Sequence, residues 1–329
     1  MITIFYYSYF FVKGNDKMKK NNTNFYNYPS FDKSHLPRTD LACEVSRPTD
    51  KKSGTALREY MLCGIPVSEL YVTDSEGERT SGKRIGRYST LHTPIMRCLC
   101  REELFSVTEA LSALITSFTE KAIGKTISKT TRVLVAGLGN RFISADSIGP
   151  RAADKIAVTG HMANSDSREL FELIGCASLS AVHPGVMGQT GIEAAVMIKG
   201  AADHVHPDVI IAVDALAARS TSRLACTIQL TDTGIEPGSG IGNRRCAVDE
   251  RSMGCPVIAI GVPTVVDCAT LVYDALERAG VEGLDESFSK ALEKERGLFV
   301  SLRDSDIVSE EISAVIAGAI NRAFLAEGL

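Results

Sequence analysis

Between residues 133 and 262 the chain alternates short apolar runs with polar, glycine-rich stretches. Val133–Gly137, Leu179–Val182, Val209–Val213, Cys226–Leu230 and Val257–Val262 read as buried strands. Helical spacing follows or separates them at Gly149 to about Val158, Gly191–Asp203, Ala269–Ala279 and Val308–Phe324. Strands alternating with helices predict an α/β sandwich with a largely parallel sheet. Upstream, Leu104, Phe105, Val107, Leu111, Leu114, Ile115 and Phe118 share one helical face over 102–120. Leu70-Tyr71-Val72 and Arg87–Leu91 read as strands on either side of a Gly- and Lys-rich turn from Glu76 to Lys83, predicting a β-rich N-terminal extension. Residues 18–37 are rich in Asn, Lys, Tyr and Ser, hold little aliphatic content to bury, and are expected to form a mobile arm. No internal repeat is visible.

Composition narrows the function classes. Of 329 residues, 44% are hydrophobic and 23% charged, enough for a sizeable core. Lys+Arg 36 against Asp+Glu 40 gives a net charge of −4, which carries no electrostatic footprint for direct nucleic-acid binding. The aromatic run Met1–Val12 is shorter than the ~20 residues a bilayer requires and lacks a basic leader and a small-residue cleavage site. Met18-Lys19-Lys20 reads as a more natural start, with 1–17 an upstream extension; no membrane association is expected. The nine cysteines are irregularly spaced, Cys98 and Cys100 stand too close for a zinc knuckle and no CxxC occurs, so reduced thiols of a cytosolic protein are expected.

In open α/β sheets ligands bind at the carboxyl ends of the strands. The segments after the predicted strands hold Asp146, His183, Asp214, Asp232 and Asp267. Three readings compete. Gly137-Leu-Gly139 begins like a dinucleotide fingerprint, but Phe142 occupies its third glycine position, and Gly234–Gly242 lacks the Lys-Ser/Thr ending of a phosphate loop. Asp146 and Asp214 each follow a central strand; two neighbouring carboxylates share a proton, so one activates water while the other polarises a peptide carbonyl. Against this, a single Asp after a strand is commonly a helix cap. Asp146, His183, Asp214 and Asp267 also form a ligand set for a metal, though no HxxxH or HExxH spacing supports it. His204 and His206 fall at a helix end, where a cation is favourable, and need no further role.

The longer motifs decide among these. Gly137-Leu-Gly-Asn with Asp146-Ser-Ile-Gly-Pro150, Pro184-Gly-Val-Met-Gly-Gln-Thr-Gly-Ile-Glu193, Asp214-Ala-Leu-Ala-Ala-Arg-Ser220, Asp232-Thr-Gly-Ile-Glu-Pro-Gly-Ser-Gly-Ile-Gly-Asn243 and Ala259-Ile-Gly-Val-Pro-Thr-Val-Val-Asp267 together resemble the spore germination protease family, in order, from about Arg38 to the C-terminus. The resemblance implies a phosphorylase/hydrolase-like three-layer sandwich similar to the hydrogenase maturation proteases. It implies an atypical aspartic endopeptidase whose catalytic pair falls on Asp146 and Asp214, the carboxylates nominated by position. Arg219, Asp232 and Asp267 are candidate supporting residues, either helping catalysis or bracing the loops. No cofactor is implied. Because the maturation proteases hold a metal at corresponding acidic positions, a metal-dependent maturation-type protease stays as the alternative, and a catalytically silent binding relative is a third class.

The same resemblance implies a zymogen that removes its own N-terminal peptide at a site imitating its substrates, small acid-soluble spore proteins, which are cut after an acidic residue and before a hydrophobic one followed by Ala. Thr39-Asp40-Leu41-Ala42 fits, placing self-cleavage between Asp40 and Leu41, with 1–40 as arm and propeptide and 41–329 as one protease domain. A homotetramer in the cytoplasm of the forespore or spore core is implied as well. The sequence departs from the family pattern at His183 (Ala expected), Glu236 (His expected) and Ser144-Ala145 (Thr-Pro expected), none of which removes a catalytic carboxylate.

Overall fold

The structure is a computed structural model that describes residues 39–45, 54–94, 99–162, 169, 171, 176–238, 245–281, 286–294 and 297–325. The expected arm, the alternative start at Met18, Arg38 and Cys98 lie outside the described residues.

In chain order the elements are β1 (Thr55–Leu62), β2 (Ile65–Val72), α1 (Ser75–Ser81), β3 (Gly86–His92), α2 (Arg101–Ile123), β4 (Arg132–Gly137), α3 (Ile148–Ala153), β5 (Ser178–Val182), α4 (Met187–Thr190), α5 (Ala194–Val205), β6 (Val209–Ala218), β7 (Thr227–Thr231), α6 (Glu250–Met253), β8 (Val257–Asp267), α7 (Cys268–Arg278), α8 (Glu286–Lys294), β9 (Phe299–Ser301) and α9 (Ser305–Phe324). The predicted turn at Glu76–Lys83 is mostly the short helix α1, started by Asp74, whose side chain accepts from the Gly77 N–H at 2.9 Å, and stopped by Gly82 in the left-handed region. The predicted helix Gly191–Asp203 is divided: Gly191 caps α4, and α5 begins three residues later.

Among the described residues the strands form one nine-stranded sheet in the order β1-β2-β3-β7-β8-β6-β4-β5, with β9 beside the end of β8. It is α/β, but mixed rather than largely parallel. Only β5-β4-β6-β8 run parallel; β1, β2, β3, β7 and β9 join by antiparallel pairings. The β-rich extension is continuous with the main sheet because β3 pairs with β7, so its edge is covered by the later half of the chain.

Alternation along the central strands supplies two apolar faces. Val133 and Val135 face α2, α3 and α9 together with Leu111, Ile115, Phe118, Ile312 and Ile316. Leu134 and Ala136 face α5 and α6 with Ile198, Ala202 and Met253. A fully buried side chain of this kind stabilises the fold by about 1.5–3 kcal/mol. Helices therefore cover both faces of the parallel half, and the site lies at the carboxyl ends of its strands.

Candidate active site

Asp146 and Asp214 reach one cleft by different routes. Asp214 was expected just beyond a strand ending at Val213; the strand continues to Ala218, and Asp214 sits inside it opposite Gly261 of β8. The reason is the partner: β8 is itself longer than expected, so parallel pairing runs on past the carboxylate, with an irregularity only between Leu216 and Ala217. Asp146 ends a 3-10 turn, Ser144–Asp146, after β4. Two distant hydroxyls pin this turn: Thr264 donates to the Ala145 carbonyl at 2.6 Å and Ser309 to the Ser144 carbonyl at 2.7 Å.

The glycines that mimic a nucleotide loop are accounted for by packing. Gly139 has φ +109°, and a Cβ there would lie 2.1 Å from the Asp146 carbonyl oxygen. A Cβ on Gly149 would lie 2.2 Å from the Leu138 oxygen and 2.4 Å from that of Val213. Close backbone approach thus brings the Asp146 turn against the strand bearing Asp214.

The two carboxyls are unequal. Burial pushes Asp146 up, opposed by the Asn140 N–H, which donates to its Oδ2 at 2.8 Å. Asp214 is 5% exposed; burial pushes it well above the ordinary carboxylate range, and the neighbouring negative charges of Asp146 and Asp40 push it further, against one bond from the Ala215 N–H at 2.9 Å. Both carboxyls are thus raised, Asp214 the further, and the two titrate as a coupled pair.

The cleft, about 1350 Å³, is also lined by Thr39 and Asp40 of this same chain. Asp40 lies along β6: its N–H donates to the Ala217 carbonyl at 2.9 Å, and its carboxylate accepts from the Ala217 N–H at 2.9 Å. Its carbonyl oxygen receives Lys83 Nζ at 2.9 Å and Gln229 Nε2 at 3.2 Å. Leu41 is fully buried among Leu216, Ala218, Leu224 and Val266, and Ala42 packs with Leu70, Val72 and Tyr88. Glu44 accepts from the main-chain N–H of Arg219 at 2.8 Å and of Ser220 at 3.0 Å, and from the Thr39 hydroxyl.

The other sequence candidates have different neighbours, and Arg219, Asp232 and Asp267 do not line the cleft. Asp267 caps α7, accepting from the Thr270 N–H at 3.0 Å. Asp232 accepts from the Arg87 N–H at 2.7 Å, joining β3 to the end of β7. The Arg219 side chain pairs with Glu277 and, at 3.6 Å, with Asp274 on α7; its N–H donates to Glu44. His183 faces Asp154 at 3.4 Å. Glu236 lines the cleft. The four residues of the metal reading are therefore not gathered, and among the described residues no three His, Cys, Asp or Glu side chains converge as metal ligands. Eight described cysteines are free thiols. No described helix is long and apolar enough to cross a membrane.

Sequence reasoning missed Lys83 and Gln229. Lys83 was read only as part of a turn, and Gln229 was not singled out within the strand Cys226–Leu230; the one available signal was a glutamine placed between Ile228 and Leu230.

Comparison with known proteins finds one family. A sequence profile described as germination protease matches residues 38–290. A germination protease of Caldanaerobacter subterraneus subsp. tengcongensis is 41% identical over 257 residues, covering 77% of this chain and 76% of the relative. One from Clostridium tetani is 36% identical over 311 residues, covering 86% and 94%, and one from Bacillus subtilis is 40% identical over 251 residues, covering 74% and 67%.

Proposed function

This chain belongs to the germination protease family, and from that premise we propose that it is a self-processing endopeptidase whose Asp146–Asp214 pair hydrolyses its own Asp40–Leu41 bond. The chain is a peptidase of spore germination. The observation that carries the finer reading is how Thr39–Glu44 is seated, with Asp40 in the cleft: an acidic side chain bound to a β6 amide, a buried leucine, a buried alanine, then a second acid bound to main-chain amides. These seats match the acidic–hydrophobic–Ala order of the substrates that the family resemblance implies, the small acid-soluble spore proteins.

Asp146, ionised first, takes a proton from water; Asp214, which holds its proton longer, serves as the acid. Acidification therefore raises the active fraction until Asp146 is protonated too. Residues 1–40 are arm and propeptide and 41–329 the protease domain, on a fold akin to the hydrogenase maturation proteases. Action in the spore core as a homotetramer belongs to the same reading, and sedimentation at working concentration tests the tetramer. The metal-dependent alternative has less support, since Asp267 and His183 are engaged with Thr270 and Asp154.

Mass spectrometry of the full chain after mild acidification tests the reading. The expected product begins at Leu41, is lost by about 10²–10⁴-fold in rate in Asp146→Asn and Asp214→Asn, and forms equally with a strong chelator. Cleavage in Asp214→Asn at the wild-type rate would overturn the carboxylate pair, and loss on chelation would move the chemistry to a metal.

A further inference from the structure

Two donors from separate elements meet on one carbonyl oxygen. Lys83, just after α1, donates to the Asp40 oxygen at 2.9 Å, and Gln229 of β7 donates to the same oxygen at 3.2 Å. The amide of Gln229 is oriented by a second bond: its Oε1 accepts from the Ala42 N–H at 2.6 Å, which leaves Nε2 facing the Asp40 carbonyl. One glutamine thus spans the peptide bond, touching the residue before it and the residue one beyond. Lys83 is carried to this point by Gly82, whose left-handed backbone ends α1, and its N–H is held by the Ser81 hydroxyl at 3.1 Å. Neither residue serves the Asp146–Asp214 pair in the mechanism above.

We propose that Lys83 and Gln229 are catalytic residues that form the oxyanion hole of this protease, receiving the carbonyl oxygen of the bond being cut. The proposal rests on the reading that Asp40–Leu41 is that bond. Water adds to the Asp40 carbonyl carbon while Asp146 takes one of its protons. The carbonyl π pair moves onto the oxygen, where the Lys83 ammonium and the Gln229 amide hold the negative charge. Collapse re-forms the carbonyl and breaks the bond to the Leu41 nitrogen, which takes the proton of Asp214. A proton shift from Asp146 to Asp214 restores the pair. With the oxygen already held by two donors, the proton of Asp214 is free for the leaving nitrogen. A half-buried cation held on developing charge stabilises it more than a solvated one would. Burial pulls Lys83 down from its ordinary value, while the charges of Asp40, Cys43 and Glu44 oppose that pull and favour the ammonium.

The test measures self-processing of the full chain by mass spectrometry and, alongside it, amide hydrogen exchange at Leu41 and Ala42. Lys83→Met and Gln229→Glu are each expected to slow processing about 10²–10³-fold, the loss found for single oxyanion donors, while exchange protection of the seated segment persists. Gln229→Glu keeps the acceptor for Ala42, and Lys83→Arg, which keeps a cationic donor, is expected to stay within about tenfold of wild type. Processing at the wild-type rate in Lys83→Met would overturn the proposal. So would a slow rate accompanied by lost protection, because Lys83 would then only anchor the segment. If Asp214→Asn processes normally, the carboxylate reading itself has failed; if it is silent while Lys83→Met is normal, only the oxyanion hole has failed.

Discussion

Glu69 and Asp214 are both strand carboxylates, 1% and 5% exposed, yet their protons are held in opposite ways. Burial raises both. At Glu69 it is outweighed by Arg87, Ser89 and Tyr71, so this carboxyl is held below its ordinary value. Arg87 donates to it through Nε at 2.9 Å and Ser89 at 2.8 Å, while the Arg87 guanidinium also lies 4.2 Å from the Phe118 ring centre. At Asp214 burial is reinforced by Asp146 and Asp40 and opposed by the Ala215 amide, so the proton is retained. The contrast teaches that burial alone does not mark a site. A buried carboxylate ringed by donors fixes β1–β3 to α2; one set among other carboxylates is poised to give up a proton.

The contrast breaks most visibly at Arg87. Arg87→Leu leaves Glu69 buried without its cation and is expected to cost about 3–5 kcal/mol in urea unfolding; a loss under about 1 kcal/mol would mean the pair is not structural.

Asp214→Asn is expected to act with the opposite sign. Because the folded value of Asp214 lies above its unfolded one, its contribution is full below the ordinary carboxylate range and is lost as pH rises through the folded value. The asparagine variant escapes that loss, so it gains stability at neutral pH, and below the carboxylate range it gains nothing. Glu69 runs the other way: its contribution is present above the ordinary value and is lost as pH falls through the lower folded value. Thermal unfolding of both variants across pH separates the two slopes, and an equal slope for wild type and Asp214→Asn would contradict the assignment.

The smallest effect is expected at Asp267. Asp267→Ala removes the cap of α7, costs about 1 kcal/mol and leaves processing within a few-fold. A collapse of processing without a loss of stability would return Asp267 to the chemistry.

The candidate pair was legible in the sequence because both residues follow apolar runs whose carboxyl ends must share one edge, and the family motifs named the same two. Strand lengths were not legible: Asp214 reads as an end of strand, and only pairing with Gly261 and Val262 carries β6 beyond it. The mixed direction of the sheet was hidden for a related reason. Whether β7 runs parallel to its neighbours depends on pairing with β3 and β8, and its five residues carry no mark of either. Lys83 and Gln229 were invisible because their role depends on where Asp40 lies, and Asp40 is placed by β6, remote from it in the chain.

The central claim is that a proton shared unequally between Asp146 and Asp214 drives cleavage after Asp40. The most direct test is the rate at which chains beginning at Leu41 appear from the full protein, followed across pH by mass spectrometry. The account predicts a rate that climbs as pH falls through the raised range of Asp214, then declines once Asp146 is protonated, with the climb absent in Asp214→Asn. A rate independent of pH, or a cut at another bond, would contradict it.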